Sequence, residues 1–274
     1  MKAYFERESP HGLVGENLIL EHLHPNIEGY FLMADAFFDT MRKNGFIAPQ
    51  WDSTRIRPPE FYRKQWGVTE LDKAYADIRI RILKGGWPFQ PKKAPNRALV
   101  DFHPANLVDS LAYKTVVDDR LNLERAHVRL AELYARRHQF LKAFREYQAL
   151  IDMTPVNVSP YLSAADMLVK ARKLPEAIPY LKKSLQLKET AYANKWLGQI
   201  YLDQGRKQLA LPFLEKAAQM KPNDPQLIYN LSGAYALTRQ YGLARKTLGR
   251  LEKLAPNFPG AADLKKQLAR IKSE

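Results

Sequence analysis

Between Leu18 and Asn26 the chain sets Glu21-His22-Leu23-His24 ahead of Pro25 and Asn26. A carboxylate and two imidazoles in four residues are groups that move protons or bind metals. A carboxylate beside an imidazole fixes its tautomer and stabilises the imidazolium formed during proton transfer. In extended chain, His22 and His24 project to the same side, so with Glu21 they also have the makings of a metal site. The remaining histidines, His11, His103, His127 and His138, are scattered and supply no evident further ligand. A third reading needs no chemistry: Pro25 and Asn26 stop an extended run and cap the next helix. The residues themselves leave all three open.

The elements that would position these groups are local. Leu18 to Leu20 is a short apolar run, expected to be a buried strand or strand-like entry. From about Glu28 to Asn44, Phe31, Ala34, Phe37, Phe38 and Met41 form a helical stripe. Glu21 to Asn26 is then the turn between them, where catalytic groups are often presented. Residues 46–68 lack a regular pattern and read as a connector. Trp51, Phe61, Tyr62 and Trp66 would anchor it to a neighbouring surface. Thr69 caps a helix that runs to about Leu83 and stops at Gly85-Gly86. Leu107, Leu111, Ala112, Val116 and Val117 mark a further amphipathic helix between Pro104 and about Asp119.

From Glu124 to Pro256 the chain repeats itself. Ala143, Ala177, Ala210 and Ala244 are 34, 33 and 34 residues apart. Four residues after each come Tyr147, Leu181, Leu214 and Leu248, and twelve after each come Pro155, Glu189, Pro222 and Pro256. Thirteen before sit Leu130, Ala164, Leu197 and Leu231; nine before sit Tyr134, Leu168, Tyr201 and Tyr235. The small residue marks a close helix crossing, the large ones fill the space beside it, and proline ends the second helix. The second unit departs by carrying Glu189 at the proline position. Ala261 to Ile271, with Leu264, Leu268 and Ile271 on one face, reads as a terminal capping helix.

This pattern resembles the tetratricopeptide repeat (TPR), a pair of antiparallel helices per unit. The resemblance implies four stacked hairpins with a concave surface lined by the first helix of each unit. That surface would carry Arg125, Arg129, Leu162, Asp166, Tyr192, Lys195, Tyr229 and Asn230. Arg125, Arg129, Tyr192, Lys195, Tyr229 and Asn230 are the candidate partner-binding residues. Their mix of basic and aromatic groups suits a peptide or protein partner of acidic character.

A second resemblance covers roughly residues 12–44. Glu21-His22-Leu23-His24-Pro25-Asn26, then Gly29 and the helix from Tyr30, is similar to the closing block of an SGNH (GDSL-type) hydrolase. That block is Asp-x-x-His before a carboxy-terminal helix. The resemblance implies His24 as the general base and Glu21 as its acid, with Glu in place of the usual Asp. The family's Gly-Asp-Ser-type nucleophile block and its oxyanion-hole residues are missing before Glu21, where the sole serine, Ser9, lies in Glu8-Ser9-Pro10. The expectation is therefore an incomplete SGNH-like tail, a fragment of a longer protein, inactive as an ester hydrolase alone.

The totals bound the rest. Of the net charge of +14, residues 1–45 contribute −3, residues 46–123 +4 and residues 124–274 +13. A basic array draws an acidic partner, nucleic acid or anionic lipid, or is merely a solvated outer face. The charges are dispersed rather than massed, and no nucleic-acid partner is expected. The absence of cysteine excludes disulfides, thiolate metal sites and a cysteine nucleophile. No apolar run approaches the roughly 20 residues of a membrane span, and Met1 to Glu8 lacks the order of a signal peptide. The expected fold is mainly α. Residues 1–45 form the SGNH-like α/β remnant, 46–103 an irregular connector with one helix, and 104–274 a TPR solenoid of four hairpins with caps. No cofactor and no metal are expected.

Overall fold

The computed structural model describes residues 1–21 and 23–271. Its helices are α1 (Lys2–Arg7), α2 (Ile27–Lys43), α3 (Pro59–Arg63), α4 (Glu70–Lys84), α5 (Leu107–Val117), α6 (Leu123–Arg136) and α7 (Phe140–Met153). They continue with α8 (Val158–Lys170), α9 (Leu174–Leu187), α10 (Ala191–Asp203), α11 (Lys207–Met220), α12 (Pro225–Leu237), α13 (Tyr241–Leu254) and α14 (Ala261–Arg270). The chain forms two compact units. One is Met1–Trp66 with Ala76–His103; the other is Gly67–Tyr75 with the chain from Pro104 onward.

In the second unit α6/α7, α8/α9, α10/α11 and α12/α13 are four antiparallel hairpins, and α14 closes the stack. Each first helix starts on a side-chain cap. Asn122, Asn157, Thr190 and Asp224 accept from the backbone N–H of Arg125, Ser159, Ala193 and Leu227. Such a cap stabilises a helix by about 1 kcal/mol. The second helices have no such cap. They follow a turn whose left-handed residue recurs with the repeat: His138, Arg172, Gly205 and Arg239, at φ 56 to 71°. Only Gly205 adopts that conformation without a Cβ penalty.

Ala143, Ala177, Ala210 and Ala244 are fully buried, and Leu181, Leu214 and Leu248 pack beside three of them. Where α10 crosses α11 the approach is so close that a Cβ on Gly198 would stand 2.5 Å from Leu214. Glu189, at the position of the missing proline, does other work. Its carboxylate accepts from the buried Asn194 side chain and pairs with Lys216 on α11 at 2.5 Å. The cap behaves as its pattern predicts, burying Ala261, Leu264 and Leu268. Arg245 from α13 donates to the carbonyls of Leu268 and Ile271 at its end.

The first unit has a small core of Phe5, Leu18 and Leu32. The expected strand at Leu18–Leu20 is absent: among the described residues there is no strand, only a single antiparallel bridge between Ile19 and Pro25. A strand needs a neighbour for its backbone groups, and here the segment folds back on itself. Leu20 N–H donates to His24 O (2.8 Å) and Asn26 N–H to Leu18 O (2.9 Å). The α/β character expected for residues 1–45 is thus not observed. The connector aromatics dock on α2, Trp66 edge-on to Phe31 and Trp51 edge-on to Phe38.

The crossing geometry predicts that Ala210→Leu overfills the α10–α11 contact and lowers stability by about 1–3 kcal/mol. Chemical denaturation measures it, and an unchanged midpoint would show that Ala210 does not sit at the crossing.

Candidate functional site

The Glu21 loop is built by its own carboxylate. Glu21 accepts from the backbone N–H of Leu23 (3.0 Å) and His24 (3.1 Å), and its Oε1 also meets His24 Nδ1. The Glu21 side chain is almost wholly covered, whereas 62% of the His24 side chain is exposed. Burial works against the Glu21 charge, but the bonds from His24 and the two backbone N–H groups outweigh it and hold the carboxyl below its ordinary range. Asn26 caps α2 through Gly29 N–H (3.0 Å). Gly29 is required there, since a Cβ would lie 2.2 Å from the Leu18 carbonyl oxygen. The contact directs Nδ1 of His24 to the Glu21 carboxylate while most of the ring stays exposed. Ser9 is buried, and its Oγ accepts from Asn17 Nδ2 (3.3 Å). His22, the second imidazole of the metal reading, lies outside the described residues. Among those described, no group of three or more potential ligands is arranged to hold a metal ion.

The candidate residues of the first helices fall into three groups. Tyr192 donates to Asp166 (2.9 Å) across α8 and α10, and Lys195 pairs with Asp224 (3.0 Å) at the start of α12. Tyr229 stacks on Phe258, and Asn230 accepts from Gln226 (2.9 Å). Leu162 is half-buried in the core between α8 and α10. Burial, then the Asp166 carboxylate, pushes the Tyr192 hydroxyl far above its ordinary value. Burial raises the Asp224 carboxyl, but the Leu227 N–H and then Lys195 outweigh it and hold it low. Arg125 and Arg129 are exposed on α6, and Arg125 donates to the Arg120 carbonyl (2.7 Å). Among the described residues neither arginine bonds to the other four candidates.

Sequence reasoning missed a buried ionic cluster in this unit. His127 on α6 is fully buried; its Nδ1 lies 2.7 Å from Glu146 on α7 and its Nε2 3.1 Å from Asp72 on α4. Asp72 also closes a capping box at the start of α4, accepting from Thr69 N–H (2.7 Å) and Oγ1 (3.0 Å). Burial disfavours the imidazolium, but the two carboxylates overcome it and raise the His127 pKa from 6.5 to about 9. The clue was in the repeat. The phase of His127 holds Tyr161, Asn194 and Ile228 in later units, and that of Glu146 holds Tyr180, Phe213 and Thr247. Polar residues at these covered phases call for a polar partner.

The family models agree with the hairpins. Two models described as Tetratricopeptide repeat match residues 201–268 in one case and 128–192 and 162–225 in the other, together just over half of the chain. The chain belongs to the TPR proteins. No curated protein matches the sequence. A solved structure of MamA from Desulfovibrio magneticus RS-1 is similar at 18% identity, covering 54% of this chain and 93% of that one with a TM-score of 0.47. YrrB, described as a TPR protein with an unusual peptide-binding site, shares 19% identity over 85% of this chain and 99% of that one, TM-score 0.47. A thermophilic TPR protein of Thermus thermophilus, TTC0263, shares 18% over 63% and 88%, TM-score 0.41. Membership rests on the family models and the repeated hairpins, not on these scores.

The His127 cluster makes stability depend on alkaline pH. Because the folded pKa lies above the unfolded one, the stabilisation is complete below pH 6.5 and is lost as pH rises through about 9. The full loss is on the order of 3 kcal/mol. Thermal melts between pH 6.5 and 9.5 should show a falling midpoint in the wild type and a flatter profile in His127→Gln. Parallel profiles would assign the slope to other groups.

Proposed function

We propose that the array binds an extended segment of a protein partner of acidic character along the first helices of its hairpins. The observation that carries this reading is the outer stripe of α6. Arg125, Arg129 and Arg136 lie four and seven residues apart on one exposed face. Among the described residues none of the three pairs with a carboxylate, while Lys170 and Lys195 on the next helices are already matched by Asp166 and Asp224. Positive charge without a direct ion pair thus collects at the first hairpin, offset in part by Glu132 on the same face and by Asp118 near Arg129. Tyr192 and Asn230 hold the phases of Arg125 and Arg129, and with Lys195 and Tyr229, at the phase of Val128, they form a half-buried, partly aromatic surface. An extended acidic peptide would meet charge at one end and ring faces at the other.

Fluorescence anisotropy with labelled Glu/Asp-rich and Lys/Arg-rich peptides tests the reading. The acidic peptide should bind, weaken as salt is raised, and lose roughly tenfold or more with Arg125→Glu and Arg129→Glu together. Equal binding of the basic peptide, or no effect of the double substitution, would overturn it.

A second reading concerns residues 1–45 as an SGNH-like tail, with the array as the accessory region of an ester hydrolase. The Glu21 carboxylate on His24 Nδ1, with the ring otherwise exposed, supports it: a triad base is oriented in this way. A base without a nucleophile or oxyanion donors forms no acyl-enzyme. This chain should therefore hydrolyse p-nitrophenyl acetate no faster than buffer. Turnover that disappears in His24→Ala would refute that expectation.

A further inference from the structure

In the unit formed by Met1–Trp66 and Ala76–His103, a cleft of about 900 Å³ runs between α2 and the segment from Ile56 to Arg63. Its volume is that of a small-molecule site. The wall supplied by α2 carries an acid–aromatic pair twice. Glu28 and Phe31 are three residues apart, and Asp35 and Phe38 repeat that spacing seven residues on, so the two pairs stack on one side of the helix two turns apart.

The first pair is satisfied from within the protein. Arg63, on the opposite wall, donates to Glu28 (3.1 Å), and its guanidinium lies 4.2 Å from the Phe31 ring centroid. Ion pairing and a cation over an aromatic face act on the same group. The second pair has no equivalent cation among the described residues, although Phe38 meets Trp51 edge-on as Phe31 meets Trp66. Among the described residues Asp35 accepts no hydrogen bond and forms no ion pair, although it is half-buried. Burial pushes its carboxyl up, Arg63 compensates only in part, and Asp39 and Glu60 add repulsion. The other arginines of the cleft are engaged: Arg7 with Glu8, Arg42 with Asp39, and Arg57 with the Thr54 carbonyl.

We propose that Asp35 and Phe38 form a binding site for an organic cation of the guanidinium or amidinium type, held as Arg63 is held by Glu28 and Phe31. A planar cation with paired N–H groups matches the carboxylate in two-point fashion and presents its flat face to the ring. Tyr62 and Pro58 on the facing wall suit an aryl or alkyl body attached to it. Asp35, Glu60 and Asp39 around the site disfavour an anion.

The test is isothermal titration of the full chain with benzamidinium, and with benzamide and benzoate as neutral and anionic analogues of nearly the same shape. Benzamidinium should bind, benzamide roughly tenfold or more weakly, and benzoate not at all. Asp35→Asn should weaken benzamidinium by a similar factor with an unchanged circular dichroism spectrum. Equal affinity for benzamide, preference for benzoate, absence of benzamidinium binding, or full affinity in a folded Asp35→Asn would each overturn the proposal. The comparison of the three probes on the wild type stands even if the variant fails to fold.

Discussion

Two helices can approach only as closely as the side chains at their crossing allow. In this array the limit is set by one alanine per hairpin, and Ala143, Ala177, Ala210 and Ala244 are all fully buried. The rest of the second unit depends on that distance. It lets Leu181 and Leu214 reach across, lets the next hairpin stack, and leaves α14 with only the last hairpin to cover. A repeat that contacts its neighbours alone must carry the same small residue each time, because no distant part of the chain can correct an error in spacing.

The polar exceptions in that core follow a second constraint: a buried donor or charge must be matched. Ser232 Oγ donates to the Ala244 carbonyl (2.8 Å), linking the helices of the last hairpin. Asn194 and Glu189 with Lys216 join the second and third repeats where a proline would otherwise end the unit. His127 between Asp72 and Glu146 is the most demanding case, since two charges of one sign flank the other in a covered site. Desolvating the imidazolium is unfavourable, but the two carboxylates outweigh it, so the cluster stabilises the fold while His127 is charged and also fixes position. It joins the start of α4 to the first hairpin in place of a preceding repeat.

The other unit is governed by α2 alone. One face of that helix packs Leu32 and Ala36 inward, and another, carrying Phe31 and Phe38, both receives Trp66 and Trp51 and lines the cleft. With no repeat beside it, its neighbours are the short helix α1, single aromatic residues and short turns. Electrostatics therefore matters more here: Glu28, Asp35 and Asp39 all stand on α2, and what each one pairs with differs.

The array, its repeat phase, the capping helix and the Thr69 cap were legible in the sequence, and the Asn26 cap was one of its open readings, because each is written within one turn or one repeat. A period of 34 states where a small residue must stand, whatever the partner helix does in detail. The Glu21 to His24 spacing was likewise visible, but whether the acid would hold the ring depended on a loop that closes through Leu20 and His24. The strand expected at Leu18 failed for a tertiary reason, since an apolar run becomes a strand only where another backbone pairs with it. The His127 charge was hidden for the same reason. Its partners lie 55 residues before and 19 residues after it, and a side chain's protonation is set by what surrounds it in space. The acid–aromatic register of α2 was also written in the sequence. That Arg63 answers one pair and nothing among the described residues answers the other was decided only when the connector folded back across the helix.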